Sequence, residues 1–216
     1  TGGPSTFHGT MNFDRSTLLR KCVLCFFGDI LVFSKTLREH LLHVTQVLII
    51  LKEKEWKVKM SKCAFAQRQV GYLGHIISGA GVSTDPSKIS AIETWPTPTN
   101  VKEVCGFLGL AGYYRKFIRN FGIICRSLTA LLKKGVIFRW SSCEEEAFQA
   151  LKRALMTAPV LALPNFTKTF VIETDACDMG IGAVLSQDGH PLAYVSKALG
   201  PRNRALSVYE KEYLAI

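Results

Sequence analysis

Near the start of the chain two apolar runs, Phe26-Phe27 and Ile30-Leu31-Val32-Phe33, are parted by Gly28-Asp29. A tight hairpin reads this way, because Gly tolerates the positive φ such a turn demands and Asp is its frequent companion. Asp29 is then either a turn residue or a carboxylate held rigidly on a hairpin tip, where a metal-dependent site would want one. The pattern alone leaves both open. Next the period lengthens. Thr36 and Glu39 make a capping box, and Leu37, Leu41, Val44, Leu48 and Leu51 line one side of a helix expected to pack on a sheet. A Lys-rich stretch (54, 57, 59, 62) follows, and residues 70–78 read as a second hairpin or strand pair with glycines at its bends.

From residue 81 the pattern turns helical. Asp85 caps and Pro86 starts a short helix that Pro96-Thr97-Pro98 closes, and Asn100 with Glu103 makes another capping box. Val104, Phe107, Leu108, Ala111, Tyr114, Phe117 and Ile118 supply an apolar stripe. Leu128, Leu131 and Leu132 end a third short helix, so residues 81–140 are expected to be a small helical module. Its outward Arg115, Lys116 and Arg119 lie beside Tyr113, offering cations and an aromatic together. The same residues read equally well as core tyrosine plus solvated basic face. Ser141 and Glu144 open a further helix with Ala147, Phe148, Leu151, Ala154 and Leu155 on one side. Then the period drops to two: residues 169–176, 180–185 and 192–195, with Asp188-Gly189 as a turn, form a three-stranded antiparallel meander. Residues 203–216 return to a helical period, with Leu206, Tyr209, Tyr213 and Leu214 apolar and Glu212 near them. The fold class is α+β.

With 216 residues and 48% apolar content the chain can bury a sizeable core, in one large or two small domains. The apolar run 47–51 is too short to span a bilayer and no leader opens the sequence, so an intracellular, soluble protein with no membrane partner is expected, nucleus and cytoplasm not being distinguishable. The chain starts at Thr1 and stops inside a helical pattern, which reads as a fragment. Seven cysteines without framework spacing point to reduced thiols, and the Cys22/Cys25 pair lacks a second pair at zinc spacing. His40 and His43 share a helix face, but no carboxylate or Cys completes a site, so they read as surface or boundary residues. The net charge of +10 is uneven: residues 1–140 hold 20 Lys and Arg against 8 acids, residues 141–216 hold 7 against 9. A polyanion such as a phosphate backbone would sit on the basic part.

Asp175 at a strand end and Glu212 on a later helix are two acids that either face one another or are merely solvated. The pattern as a whole resembles the pol polyprotein of gypsy-class LTR retrotransposons over nearly the full chain. The carriers are Phe26-Phe27-Gly28-Asp29-Ile30-Leu31-Val32, Tyr72-Leu73-Gly74-His75-Ile76-Ile77-Ser78, Trp95-Pro96-Thr97-Pro98-Thr99-Asn100-Val101-Lys102-Glu103, Phe107-Leu108-Gly109-Leu110-Ala111-Gly112-Tyr113-Tyr114-Arg115 and Glu173-Thr174-Asp175-Ala176.

This resemblance implies the C-terminal part of a reverse transcriptase palm at 1–80 and a thumb at 81–140. A connecting helix and tether at 141–165 and the N-terminal part of an RNase H-like domain at 166–216 would follow. It also implies Mg²⁺ as cofactor, and as partners an RNA–DNA hybrid or template–primer duplex and the rest of the polyprotein. The family's hairpin carries two adjacent Asp which, with a third upstream, hold two Mg²⁺ ions; here Gly28 replaces the first and Asp29 remains. Asp175 and Glu212 match the first two of four RNase H acids. The three are therefore expected to be remnants of incomplete metal sites, and the chain an impaired RNA-directed DNA polymerase/RNase H. The alternatives are a non-catalytic nucleic-acid-binding remnant and a decayed reading frame. Gly74 matches the primer-grip hairpin, and Tyr113, Arg115, Lys116 and Arg119 match the thumb surface along the duplex.

Overall fold

Residues 18, 21–26 and 28–216 are described in the computed structural model, and the chain divides into two units, Thr1–Tyr72 and Leu73–Ile216. In the first, β1 (Val23–Phe26) and β2 (Asp29–Val32) pair antiparallel with Phe26 opposite Asp29. Gly28, at φ +99°, lies in the turn between them, and Phe27 is outside the described residues. Asp29 is thus not a turn residue; it opens β2.

Helix α1 (Leu37–Glu53) starts at the expected box: Thr36 Oγ1 accepts from Glu39 N at 3.2 Å and the Glu39 carboxylate accepts from Thr36 N at 3.3 Å. Its buried face differs from the expected one. Val47 and Leu51 pack with Cys22 and Val23, whereas Leu37, Leu41 and Leu48 are exposed. A two-stranded hairpin covers only a short length of helix, so an i, i+4 pair in the second half suffices to dock it. After a 3₁₀ turn at Met60–Lys62, β3 (Gln69–Tyr72) brings the Tyr72 hydroxyl to the Asp29 carbonyl, to which it donates at 3.3 Å.

The second unit begins with Leu73 and Gly74 in left-handed conformation, φ +48° and +68°. β4 (His75–Ser78) and β5 (Gly81–Thr84) follow as an antiparallel pair. β5 corrects the expectation of an all-helical module from residue 81. Four residues ahead of Asp85-Pro86 are too few to show a period, and the strand takes its further bonds from afar: Val82 and Leu161 exchange two backbone hydrogen bonds of 2.8 Å.

Helix α2 (Pro86–Glu93) is capped by Asp85, and α3 (Val101–Tyr113) by Asn100. The reciprocal arm of the second box is displaced by one residue, since Glu103 accepts from Thr99 N at 2.7 Å. A 3₁₀ turn at Arg115–Phe117, α4 (Phe121–Ile124), α5 (Arg126–Ala130) and α6 (Ser142–Met156) complete the helices before the meander. Val104, Phe107, Tyr114, Phe117 and Leu128 share one core with Phe148, Leu151 and Leu155 of α6. Each such side chain contributes roughly 1.5–3 kcal/mol of burial.

β6 (Val171–Ala176), β7 (Gly180–Gln187) and β8 (His190–Ala198) form the expected meander, with Asp188 and Gly189 at φ +50° and +75° in its turn. It joins the helices closely: Gly122 N donates to Ser196 Oγ at 2.8 Å. The single helix expected over 203–216 is two, α7 (Pro201–Arg204) and α8 (Val208–Ala215), because Ser207 caps a new start, accepting from Glu210 N. The expected apolar face of α8 is also wrong. Tyr209 and Tyr213 are 87% and 82% exposed, and the side that docks carries Lys211. Among the described residues no helix is long and apolar enough to cross a membrane.

Candidate nucleic-acid interface and carboxylate positions

Tyr114 sits in the apolar stripe and is fully buried, and a buried phenol needs a hydrogen-bond partner. It donates to the Gly74 carbonyl at 2.7 Å, while Tyr113 donates to the Leu73 carbonyl at 2.5 Å. Two consecutive tyrosines at the end of α3 therefore hold two consecutive carbonyls of the left-handed turn. A Cβ on Gly74 would find ordinary contacts of 3.5 Å with both tyrosines, so backbone conformation rather than space calls for glycine.

The His75 ring stacks on Tyr113 (centroids 5.2 Å apart, planes at 10°) and meets Tyr114 edge-on at 5.5 Å. Its Nδ1 is buried without a hydrogen-bond partner. Burial, helped by the nearby Lys116 charge, holds the imidazole pKa below its ordinary 6.5. Lys116 lies 5.2 Å over the Phe117 ring and is itself lowered by desolvation; Arg115 and Arg119 are exposed. Because the unfolded chain takes up the His75 proton at higher pH than the folded one, the stability held above pH 6.5 is lost as pH falls below it. Thermal midpoints at pH 7.5 and 5.5 are expected to differ less in His75→Phe than in the parent, and an unchanged difference would contradict the assignment.

Asp29 is exposed at the start of β2, with Gly28 before it. Burial, with the Cys25 and Asp29 charges, pushes the neighbouring Tyr72 phenol up to about 12. Asp175, on β6 opposite Gly182, and Glu212, on α8, are also exposed, and α8 packs on β6 and β7. The elements bearing these two acids are thus neighbours. Beside them Lys211, 5% exposed, donates to the Asp178 carboxylate at 2.7 Å and holds its pKa below the usual range; Arg204 Nε donates to the Asp178 carbonyl.

A pair of Mg²⁺ ions needs several convergent oxygen ligands. Among the described residues no three His, Cys, Asp or Glu gather into a cation-binding group, so one acid beside Gly28 and two at the meander do not fit a two-ion cage.

Sequence reasoning missed Tyr114, His75 and Lys211 as parts of these arrangements. Tyr114 had a signal, a phenol in a stripe otherwise filled by Phe, Leu and Val. Lys211 had none, since the apolar period pointed to the opposite face.

Two family profiles match: "Reverse transcriptase (RNA-dependent DNA polymerase)" over residues 1–77 and "RNase H-like domain found in reverse transcriptase" over residues 140–216. The retrovirus-related Pol polyprotein from transposon 297 of Drosophila melanogaster is 42% identical over 214 residues, covering 99% of this chain and 20% of that protein. The Pol polyprotein from transposon gypsy of the same organism is 36% identical over 208 residues, covering 91% and 20%. The chain thus spans about a fifth of the length of these relatives.

Among solved structures, a foamy viral protease-reverse transcriptase bound to double-stranded DNA superposes with TM-score 0.87 at 24% identity, covering 98% of this chain and 38% of that one. The foamy viral enzyme bound to an RNA/DNA hybrid superposes at 0.81 and 24% identity, covering 89% and 27%. These matches agree with the fold of both units. The chain belongs to the Pol polyproteins of LTR retrotransposons, spanning reverse transcriptase and RNase H-like sequence.

Proposed function

We propose that this span serves the nucleic-acid-holding side of an RNA-directed DNA polymerase/RNase H and is catalytically impaired by itself. The Leu73-Gly74 turn would offer its backbone to a primer strand, and Tyr113, Arg115, Lys116 and Arg119 would follow the phosphates of a template–primer duplex or RNA–DNA hybrid. The remainder of the Pol polyprotein would be its covalent partner, in a soluble, intracellular setting. The domain layout that goes with this reading is palm to about residue 80, thumb to 140, connection to 165, RNase H-like beyond. The observation that carries it is the two-tyrosine clamp on a left-handed turn, followed directly by exposed cations on the same stretch. Support comes also from the nucleic-acid complexes of the foamy viral enzyme. Impairment rests on the donor count: Asp29, Asp175 and Glu212 are incomplete metal positions, and Gly28 contributes no ligand.

Fluorescence anisotropy with a labelled RNA–DNA hybrid tests the binding. Affinity is expected to fall steeply between about 50 and 200 mM salt, and replacing Arg115, Lys116 and Arg119 by Ala together should reduce the log–log salt slope by about 3. Absence of binding at the lowest salt would remove this reading. In a primer-extension assay with Mg²⁺, neither the chain nor its Gly28→Asp variant is expected to extend; extension by either overturns the donor count.

A further inference from the structure

One buried polar atom beside the tyrosine clamp has no use in the contacts described so far. The His75 ring is enclosed by three others: Tyr113 stacks on it at 5.2 Å, Tyr114 meets it edge-on at 5.5 Å, and Phe117 lies tilted at 5.5 Å. Its Nδ1 is buried without a hydrogen-bond partner. We propose that His75 is a positioning residue for duplex binding, holding the clamp closed while its imidazole is neutral and releasing it when the ring gains a proton. This rests on the reading of the Leu73-Gly74 turn and Tyr113 as nucleic-acid contacts.

His75 follows directly on the clamped turn. The Gly74 carbonyl that accepts from Tyr114 belongs to the peptide group joining Gly74 to His75, and the Leu73 carbonyl that accepts from Tyr113 is one peptide earlier. An imidazole that leaves its three neighbours removes the face on which Tyr113 stacks and frees that peptide to turn. Tyr113 is 51% exposed and commits its hydroxyl to Leu73, so its ring and the turn backbone are what a strand would meet.

A neutral ring suits the place by carrying its proton on Nε2 and leaving Nδ1 a bare acceptor. The cation must put an N–H at Nδ1, where nothing accepts it. The surrounding groups give no relief. Lys116, from the turn after α3, is the charge that acts on the ring, and it repels a second cation. Tyr113 and Tyr114 already donate elsewhere, and Thr84, opposite His75 across β4 and β5, carries no charge. The next residue, Asp85, caps α2, its carboxylate accepting from Ser87 N at 2.9 Å and Ser87 Oγ at 2.8 Å. Stacking on Tyr113 attracts a cation only weakly beside the cost of an unpaired buried charge. The ring therefore takes up its proton outside the aromatic cage, at a pH below its ordinary 6.5.

The test is the affinity of the full chain and of His75→Phe for a labelled RNA–DNA hybrid, by anisotropy at fixed salt from pH 7.5 to about 5. Simple electrostatics predicts a gain on acidification, since every other histidine that is protonated adds charge toward phosphates. The expected result has the opposite sign: relative to His75→Phe, which keeps an aromatic ring but cannot titrate, the parent should weaken by up to about tenfold per pH unit once His75 titrates. Long-range proton–nitrogen spectra of the ¹⁵N-labelled parent should show the His75 ring gaining its proton over the same pH range, with circular dichroism unchanged. Binding at pH 7.5 that then stays flat or rises, a parallel loss in His75→Phe, or a loss that tracks unfolding overturns the inference alone. Absence of binding at pH 7.5 removes the duplex reading and this inference with it.

Discussion

Gly81→Ala is expected to destabilise the second unit strongly. A Cβ at residue 81 would stand 2.1 Å from the Leu161 carbonyl oxygen and 3.0 Å from its carbon, both backbone atoms, at a φ of +135° that side chains rarely adopt. No rotamer relieves such an overlap. The strands must part, which sacrifices the two hydrogen bonds between Val82 and Leu161, each worth about 0.5–1.5 kcal/mol, in addition to conformational strain of about 1–3 kcal/mol. The sum, about 2–6 kcal/mol, is a large share of the 5–15 kcal/mol that usually holds a domain. Urea titrations followed by circular dichroism check it. A variant within about 0.5 kcal/mol of the parent would mean that the strand and residue 161 do not meet this closely.

Phe148→Ala is expected to cost about 3–5 kcal/mol, the usual range for emptying a buried ring. Phe148 is fully buried, with its centroid 4.6 Å from Phe107 and 5.9 Å from Trp140, and the Lys152 ammonium lies 5.1 Å over its face. Because α6 fills the same core as α3 and α5, the loss should reach amides well beyond α6. Hydrogen exchange of β7 and of α3 should accelerate together by a common factor. Acceleration limited to α6 would show that this helix is a separable tether rather than part of a cooperative body.

The parts of the fold legible in the sequence are those set by neighbours along the chain. Thr36 with Glu39 and Ser141 with Glu144 are such cases, since a cap and its partner are three residues apart. So is the Asp188-Gly189 turn, whose two residues both accept positive φ. What was not legible was chosen by distant partners. The hairpin beneath α1 selects Val47 and Leu51 from a helix apolar on more than one side, and residues 81–84 become a strand by pairing with β4, with Val82 bridged to Leu161 on the other side.

The same division runs through the candidate site. Gly74, Tyr113 and the cations stand out as residues, but the clamp joins positions 40 apart, and Tyr114 passes for one more apolar member of its stripe. Asp29 is conspicuous for its charge, yet only strand register decides that it opens β2.

The Val82–Leu161 bridge also bears on biogenesis. About 80 residues separate the two ends, so at ribosomal rates of about 5–20 residues per second the nascent polypeptide waits on the order of 4–16 s for its late partner. In that interval the outer edge of β5 is open to pairing with another nascent chain, the hazard that exposed strands carry. Translation speed across the codons for residues 83–160 should therefore govern the soluble yield of this polypeptide more than its final stability does.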